Sequence, residues 1–88
     1  MNNYVYILKL SDGTYYTGYT LNLKKRLTLH NEGKGAKRTR GRKAELVCYQ
    51  TVSDKSSALS LEAKIKSLSR EKKEDLIKKI RLTILDEP

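Results

Sequence analysis

The chain has no phenylalanine and no tryptophan, and only one cysteine, one histidine and one proline. Each shortage excludes something. A lone Cys48 rules out an internal disulfide and a cysteine-built zinc site. A lone His30 is not a metal site by itself, and on a helix face such a residue is more often structural than functional. Long hydrophobic runs are missing too. The first apolar stretch, "YVYIL" at residues 4–8, is far short of the ~20 residues that span a bilayer, and no basic region precedes it as in a secretory signal. A cytoplasmic protein is the expectation. With 88 residues there is room for one domain over residues 1–80 and a modest core, followed at 81–88 by an extension that frays before Pro88.

What is present is distributed unevenly. Five of the six tyrosines lie between Tyr4 and Tyr19. Phenylalanine would fill a core equally well and would need no partner for a hydroxyl, so a tyrosine-only cluster points to work done by the O–H. Charge is segregated as well. Of the net +9, the segment from Lys24 to Lys43 carries +8, from nine bases against the single acid Glu32. Solubility alone does not require that concentration; it is the electrostatic footprint of a polyanion binder.

Residues 4–10 and 14–19 are β-branched and aromatic around "SDG" and predict a β-hairpin. Two registers are open. A two-residue Asp-Gly loop pairs Lys9 with Tyr16 and puts Tyr6 and Tyr16 on opposite faces. A three-residue Ser11-Asp12-Gly13 loop pairs Leu8 with Tyr16 and Tyr6 with Gly18, so that Tyr4, Tyr6 and Tyr16 share a face with open space beside Tyr6 at Gly18. Thr20 or Asn22 then caps a helix over 23–32 that stops at Gly33, with Arg26 and His30 on the same inward stripe as Leu23 and Leu27. "GKGAKRTRGRK" at 33–43 is a glycine-rich basic loop, and "AELVCYQTV" at 44–52 a third strand. Ser53 or Asp54 caps a second helix to about Ser67, and Ser69 opens a third. The order β-β-α-β-α-α makes an α+β domain with a small, mainly antiparallel sheet.

Two positions break the pattern of their helices. Glu62 lies on the core stripe Ala58, Leu61, Ile65, Leu68, where a carboxylate must bind a cation, pair with Arg26 or Lys66, or reach water. An inward Arg26 needs an anion, either a protein carboxylate or a phosphate.

Taken in order, "YVY" (4–6), "YTG" (16–18), Arg26 with His30, and Glu62 in "LEAKIK" resemble the GIY-YIG endonuclease superfamily, and within it the small single-domain branch. "HNEGKGAKRTRGR" and "EAKIKSLSR" are similar to that branch too, so the likeness covers about residues 3–78. The resemblance implies a three-stranded antiparallel sheet flanked by helices, and metal-dependent hydrolysis of DNA phosphodiesters. It assigns Tyr6, Tyr16, Arg26 and His30 to the catalytic site, Glu62 to one divalent ion (Mg²⁺ or Mn²⁺), and Gly18 to the motif's structural glycine. It favours the three-residue loop, which puts both motif tyrosines on one face. Tyr4 stands where the family name has Gly and Thr17 where it has Ile; neither replaces a catalytic side chain. No separate recognition domain is evident, so substrate recognition is expected from Lys34, Lys37, Arg38, Arg40, Arg42 and Lys43, from a protein partner, or from structure in the nucleic acid. The rival expectation is a catalytically silent nucleic-acid-binding module of the same fold.

Overall fold

The computed structural model describes residues 2–33 and 43–86, with side chains to residue 80. Three strands, β1 (Asn3–Leu10), β2 (Tyr15–Thr20) and β3 (Ala44–Val52), form an antiparallel sheet in the order β2-β1-β3. Helices α1 (Leu23–Asn31), α2 (Lys55–Lys66) and α3 (Arg70–Asp86) complete the predicted β-β-α-β-α-α order. Among the described residues no helix is long and apolar enough to cross a membrane.

The hairpin takes the three-residue loop. Gly13 adopts φ 86°, and its N–H donates to Leu10 O at 2.9 Å. The Asp12 carboxylate accepts from the N–H and hydroxyl of Thr14, at 3.1 and 2.6 Å. The bulged glycine fixes the register that pairs Leu8 with Tyr16 and Tyr6 with Gly18. One expectation fails here: the space beside Tyr6 at Gly18 is filled by the Tyr6 ring itself. A Cβ on Gly18 would lie 2.5 Å from Tyr6 Cζ and closer still to its hydroxyl.

Because β1 is central and its side chains alternate, it feeds a core on each face. Val5 and Ile7 join Cys48, Ala58, Ile65 and Ile77 beneath α2 and α3. Tyr6, Leu8 and Leu10 pack on the other face with Tyr16, Leu46 and the α1 residues Leu23 and Leu27. A bulge between Ile7 and Leu8 interrupts the β1–β3 ladder, so that Leu8 opposes Leu46 while Ile7 opposes Cys48.

The helix starts follow capping chemistry. Asn22 Oδ1 accepts from Lys25 N–H at 3.0 Å, and Asp54 Oδ1 from Ser57 N–H at 2.7 Å. Gly33, at φ 76°, ends α1. The end of α1 and the start of β3 meet. Asn31 Oδ1 accepts from Ala44 N–H at 3.1 Å, and Lys43 O accepts from Ser11 N–H at 3.0 Å.

Candidate active site

Three rings meet on the α1 face of the sheet. Tyr6 comes from β1, Tyr16 from the facing register of β2, and His30 from the last turn of α1. Ring centroids are 6.4 Å apart for Tyr6 and Tyr16, 5.9 Å for Tyr6 and His30, and 5.2 Å for Tyr16 and His30. The Tyr6 hydroxyl and His30 Nε2 share a buried hydrogen bond of 2.9 Å. Tyr6 is 2% and His30 1% exposed, so neither can exchange that partner for water without local movement.

The environment sets both protonation states. Burial pushes the Tyr6 phenol far above its ordinary range; neighbouring Tyr16 and the Glu62 charge add to this, while the Arg26 charge opposes it. Burial, and then Arg26, hold the His30 imidazolium below its usual pKa, so the ring is neutral near pH 7. In the tautomer whose proton is on Nδ1, Nε2 accepts the phenol proton; in the other it donates to the phenol oxygen.

Arg26 departs from its expected inward position. Leu23, Leu27 and His30, at i, i+4 and i+7, take the buried seam of α1, which leaves Arg26 on the flank of that seam and exposed. Among the described residues it has no carboxylate partner, and its charge still reaches Tyr6 and His30. Glu62 comes from α2, the helix packed against β1 and β2 on the opposite face. Its side chain is 18% exposed and pairs with Lys66 Nζ at 3.3 Å, one of the partners open to it in the sequence. No hydrogen bond joins it to Tyr6, Tyr16 or Arg26 among the described residues; it acts on Tyr6 through its charge.

Lys43 is exposed and lies apart from the rings, lining a groove with Lys9, Ser11 and Asn31 at the C-terminal end of α1. Lys34, Lys37, Arg38, Arg40 and Arg42 lie outside the described residues. Sequence reasoning missed the surface around Tyr49, where an edge-on contact with Tyr4 (centroids 6.1 Å apart) walls a second groove.

The sequence of the GIY-YIG catalytic domain family matches residues 2–75. The chain belongs to the GIY-YIG family. It is 51% identical over 77 residues to a UPF0213 protein of Natronomonas pharaonis, covering 86% of this chain and 91% of that one. A UPF0213 protein of Syntrophus aciditrophicus is 53% identical over 78 residues, with 86% and 90% covered. Among solved structures, the solution NMR structure of a protein from E. faecalis matches with a TM-score of 0.67 at 38% identity, covering 93% of this chain and 88% of that chain. The NMR structure of a UPF0213 protein from Bacillus halodurans matches with a TM-score of 0.59 at 48% identity, covering 89% and 84%. The GIY-YIG domain is of nuclease type and its members generally use divalent metals.

A lone carboxylate fits such an ion in one way. Among the described residues no three His, Cys, Asp or Glu side chains gather as a cage, so an ion held at Glu62 would take most of its ligands from water or substrate oxygen.

Proposed function

We propose that this domain is a divalent-metal-dependent endonuclease that hydrolyses phosphodiester bonds in DNA, including structured or damaged DNA, in the cytoplasm. The observation that carries the reading is the convergence on one phenol. Tyr6 is hydrogen-bonded to His30, touches Tyr16, and lies within reach of the charges of Arg26 and Glu62, from two helices far apart in the sequence.

Hydrolysis needs an oriented water, a cation for the extra negative charge, and a route for the proton. Once local movement admits water to the buried pair, Tyr6 orients the attacking water through its hydroxyl, and His30, neutral beside it, takes the phenol proton through Nε2 as Tyr6 removes one from the water. Tyr16 holds Tyr6 and His30 in register. Arg26, exposed and without a carboxylate of its own, is available to bind two phosphoryl oxygens through its planar fork and stabilise the charge that develops on them. Glu62 would hold the ion, which when bound supplies Lewis acidity at the leaving oxygen. The basic segment from Lys34 to Lys43 holds the backbone of the substrate, and a protein partner supplies further specificity.

A second reading is favoured by one feature. The Tyr6 phenol is buried and strongly resists ionisation, as expected of a structural hydroxyl in a silent nucleic-acid-binding module. One experiment separates them. Single-stranded, duplex, flapped and branched DNAs are incubated with Mg²⁺, Mn²⁺ or EDTA and either wild type or Glu62→Gln. The exposed Lys66 pair contributes only about 0.3–0.5 kcal/mol, so the variant should fold normally. A nuclease predicts cation-dependent cleavage that Glu62→Gln loses, with DNA binding at least as tight, since one repelling charge has gone. Binding without cleavage of any substrate by wild type leaves the silent module.

A further inference from the structure

The groove walled by Tyr4 and Tyr49 is not used by the chemistry above. It has a volume of about 630 Å³ and is floored by Leu46 and Leu27, with Leu21 and Lys24 on its rim. Its apolar lining is unusually open: Leu21 is 53% and Tyr49 37% exposed, while the two tyrosine rings stand at 66° as adjoining walls. An aromatic corner open to solvent is suited to a flat, partly polar ring that stacks on one wall.

The adjoining helix end says what that ring is attached to. The first turn of α1 has no acidic residue, and Lys24, Lys25 and Arg26 there are all exposed. These cations have the wrong sign for the positive end of a helix dipole. The other two helices also carry cations in their first turns, Lys55 in α2 and Arg70, Lys72 and Lys73 in α3, but each has a carboxylate there as well, the Asp54 cap and Glu71. The neutral Asn22 cap leaves α1 without a negative group of its own. A nucleotide combines an anion with a flat ring, and would put its phosphate at Lys24 and Lys25 and its base against Tyr49. The groove is also in line with the ring cluster. Tyr4 precedes Tyr6 by two residues on the same face of β1, roughly 7 Å along the strand.

We infer that the Tyr4–Tyr49 groove stacks an unpaired base of the bound DNA strand, with its phosphate on the Lys24–Lys25 turn of α1, next to the phosphate presented to Tyr6 and Arg26. The inference rests on the nuclease reading for its DNA substrate and deepens it: the cut strand must offer an unstacked base beside the scissile bond. A fully paired duplex must first give up a base to the groove, at a cost in stacking that an already single strand does not meet.

The test is binding without metal, so that it does not depend on cleavage. Fluorescence anisotropy in EDTA compares wild type, Tyr49→Phe and Tyr49→Ala on a short single-stranded DNA, on the same strand with abasic sites throughout, on its duplex, and on the matching RNA. Tyr49→Ala should weaken the intact single strand roughly 5- to 150-fold, the range of one base–aromatic stack. Tyr49→Phe keeps the ring and should bind as wild type does, and the abasic strand should not distinguish the three proteins. Amide spectra check that both variants fold. Equal affinity of Tyr49→Ala and wild type for the intact strand overturns the inference. So does an equal loss on the abasic strand or the duplex, or tighter binding of RNA than of DNA. If Tyr49→Ala loses affinity while wild type cuts nothing with any cation, the groove stands and the nuclease reading falls. Cleavage by wild type with full affinity in Tyr49→Ala gives the reverse.

Discussion

Gly18→Ala probes the ring cluster most directly, because the structure dictates where the added methyl goes. It would lie 2.5 Å from Tyr6 Cζ, where ordinary contact begins at 3.4 Å, so the ring must retreat by about 0.9 Å. A hydroxyl at the free end of a flexible chain could swing aside cheaply, but Tyr6 is 2% exposed and its oxygen is bonded to buried His30 at 2.9 Å. Overpacking of that kind costs about 1–3 kcal/mol. For a domain of this size each kcal/mol lowers Tm by roughly 4–8 °C, so a fall of about 4–24 °C is expected. The His30 ring resonances should shift, and if Tyr6 orients the attacking water, a displacement near 1 Å should cut cleavage on the order of 100-fold. Gly13→Ala is the control. Its φ of 86° makes the substitution strained, yet nothing lies within 4 Å of the new methyl, so stability should fall with the His30 resonances unmoved. A Gly18→Ala protein with Tm within about 2 °C of wild type and unchanged His30 resonances would refute the placement of Tyr6 over Gly18.

Arg26→Lys should change stability by no more than about 0.5 kcal/mol, since Arg26 is exposed and has no carboxylate partner among the described residues, while cleavage drops at least ~10-fold for want of the planar fork; unfolding by this substitution would make Arg26 structural. His30 should titrate below the ordinary imidazole range in ring NMR, because burial and the Arg26 charge disfavour the imidazolium. Its folded pKa is depressed, so its contribution to stability is complete above about pH 6.5 and is lost as pH falls through the folded value; urea midpoints of wild type against His30→Gln isolate it, and a titration at or above 6.5 contradicts the buried neutral ring. Thr17→Val should raise stability by about 1 kcal/mol in urea unfolding, because the buried Thr17 hydroxyl has no hydrogen-bond partner among the described residues, and a loss of stability would mean that the hydroxyl is bonded after all.

The sequence by itself determined the element order, the hairpin and the ordered motif residues of the GIY-YIG family; it narrowed the hairpin to two registers and the helix caps to Thr20 or Asn22 and Ser53 or Asp54, and the structure chose the three-residue loop, Asn22 and Asp54. These are local properties: a Gly at positive φ, an Asx side chain three residues before a free N–H, and alternation along a strand are all written within a few positions. Burial was decided elsewhere. The inward stripe of α1 read from spacing contained both Arg26 and His30, and only the packing of Leu23 and Leu27 against the sheet sorted one to the surface and the other to the interior. The space at Gly18 read as vacant, because nothing local says that the ring from the paired strand lies across it. The Tyr4–Tyr49 groove was invisible for a sharper reason. Strict alternation along β3 puts Leu46 and Tyr49 on opposite faces, and it is the bulge between them that brings both to the α1 face, opposite Leu8 and Tyr6. A bulge inserts one residue to satisfy the ladder of a neighbouring strand, so its position is fixed by a pairing between distant segments and not by the segment that carries it.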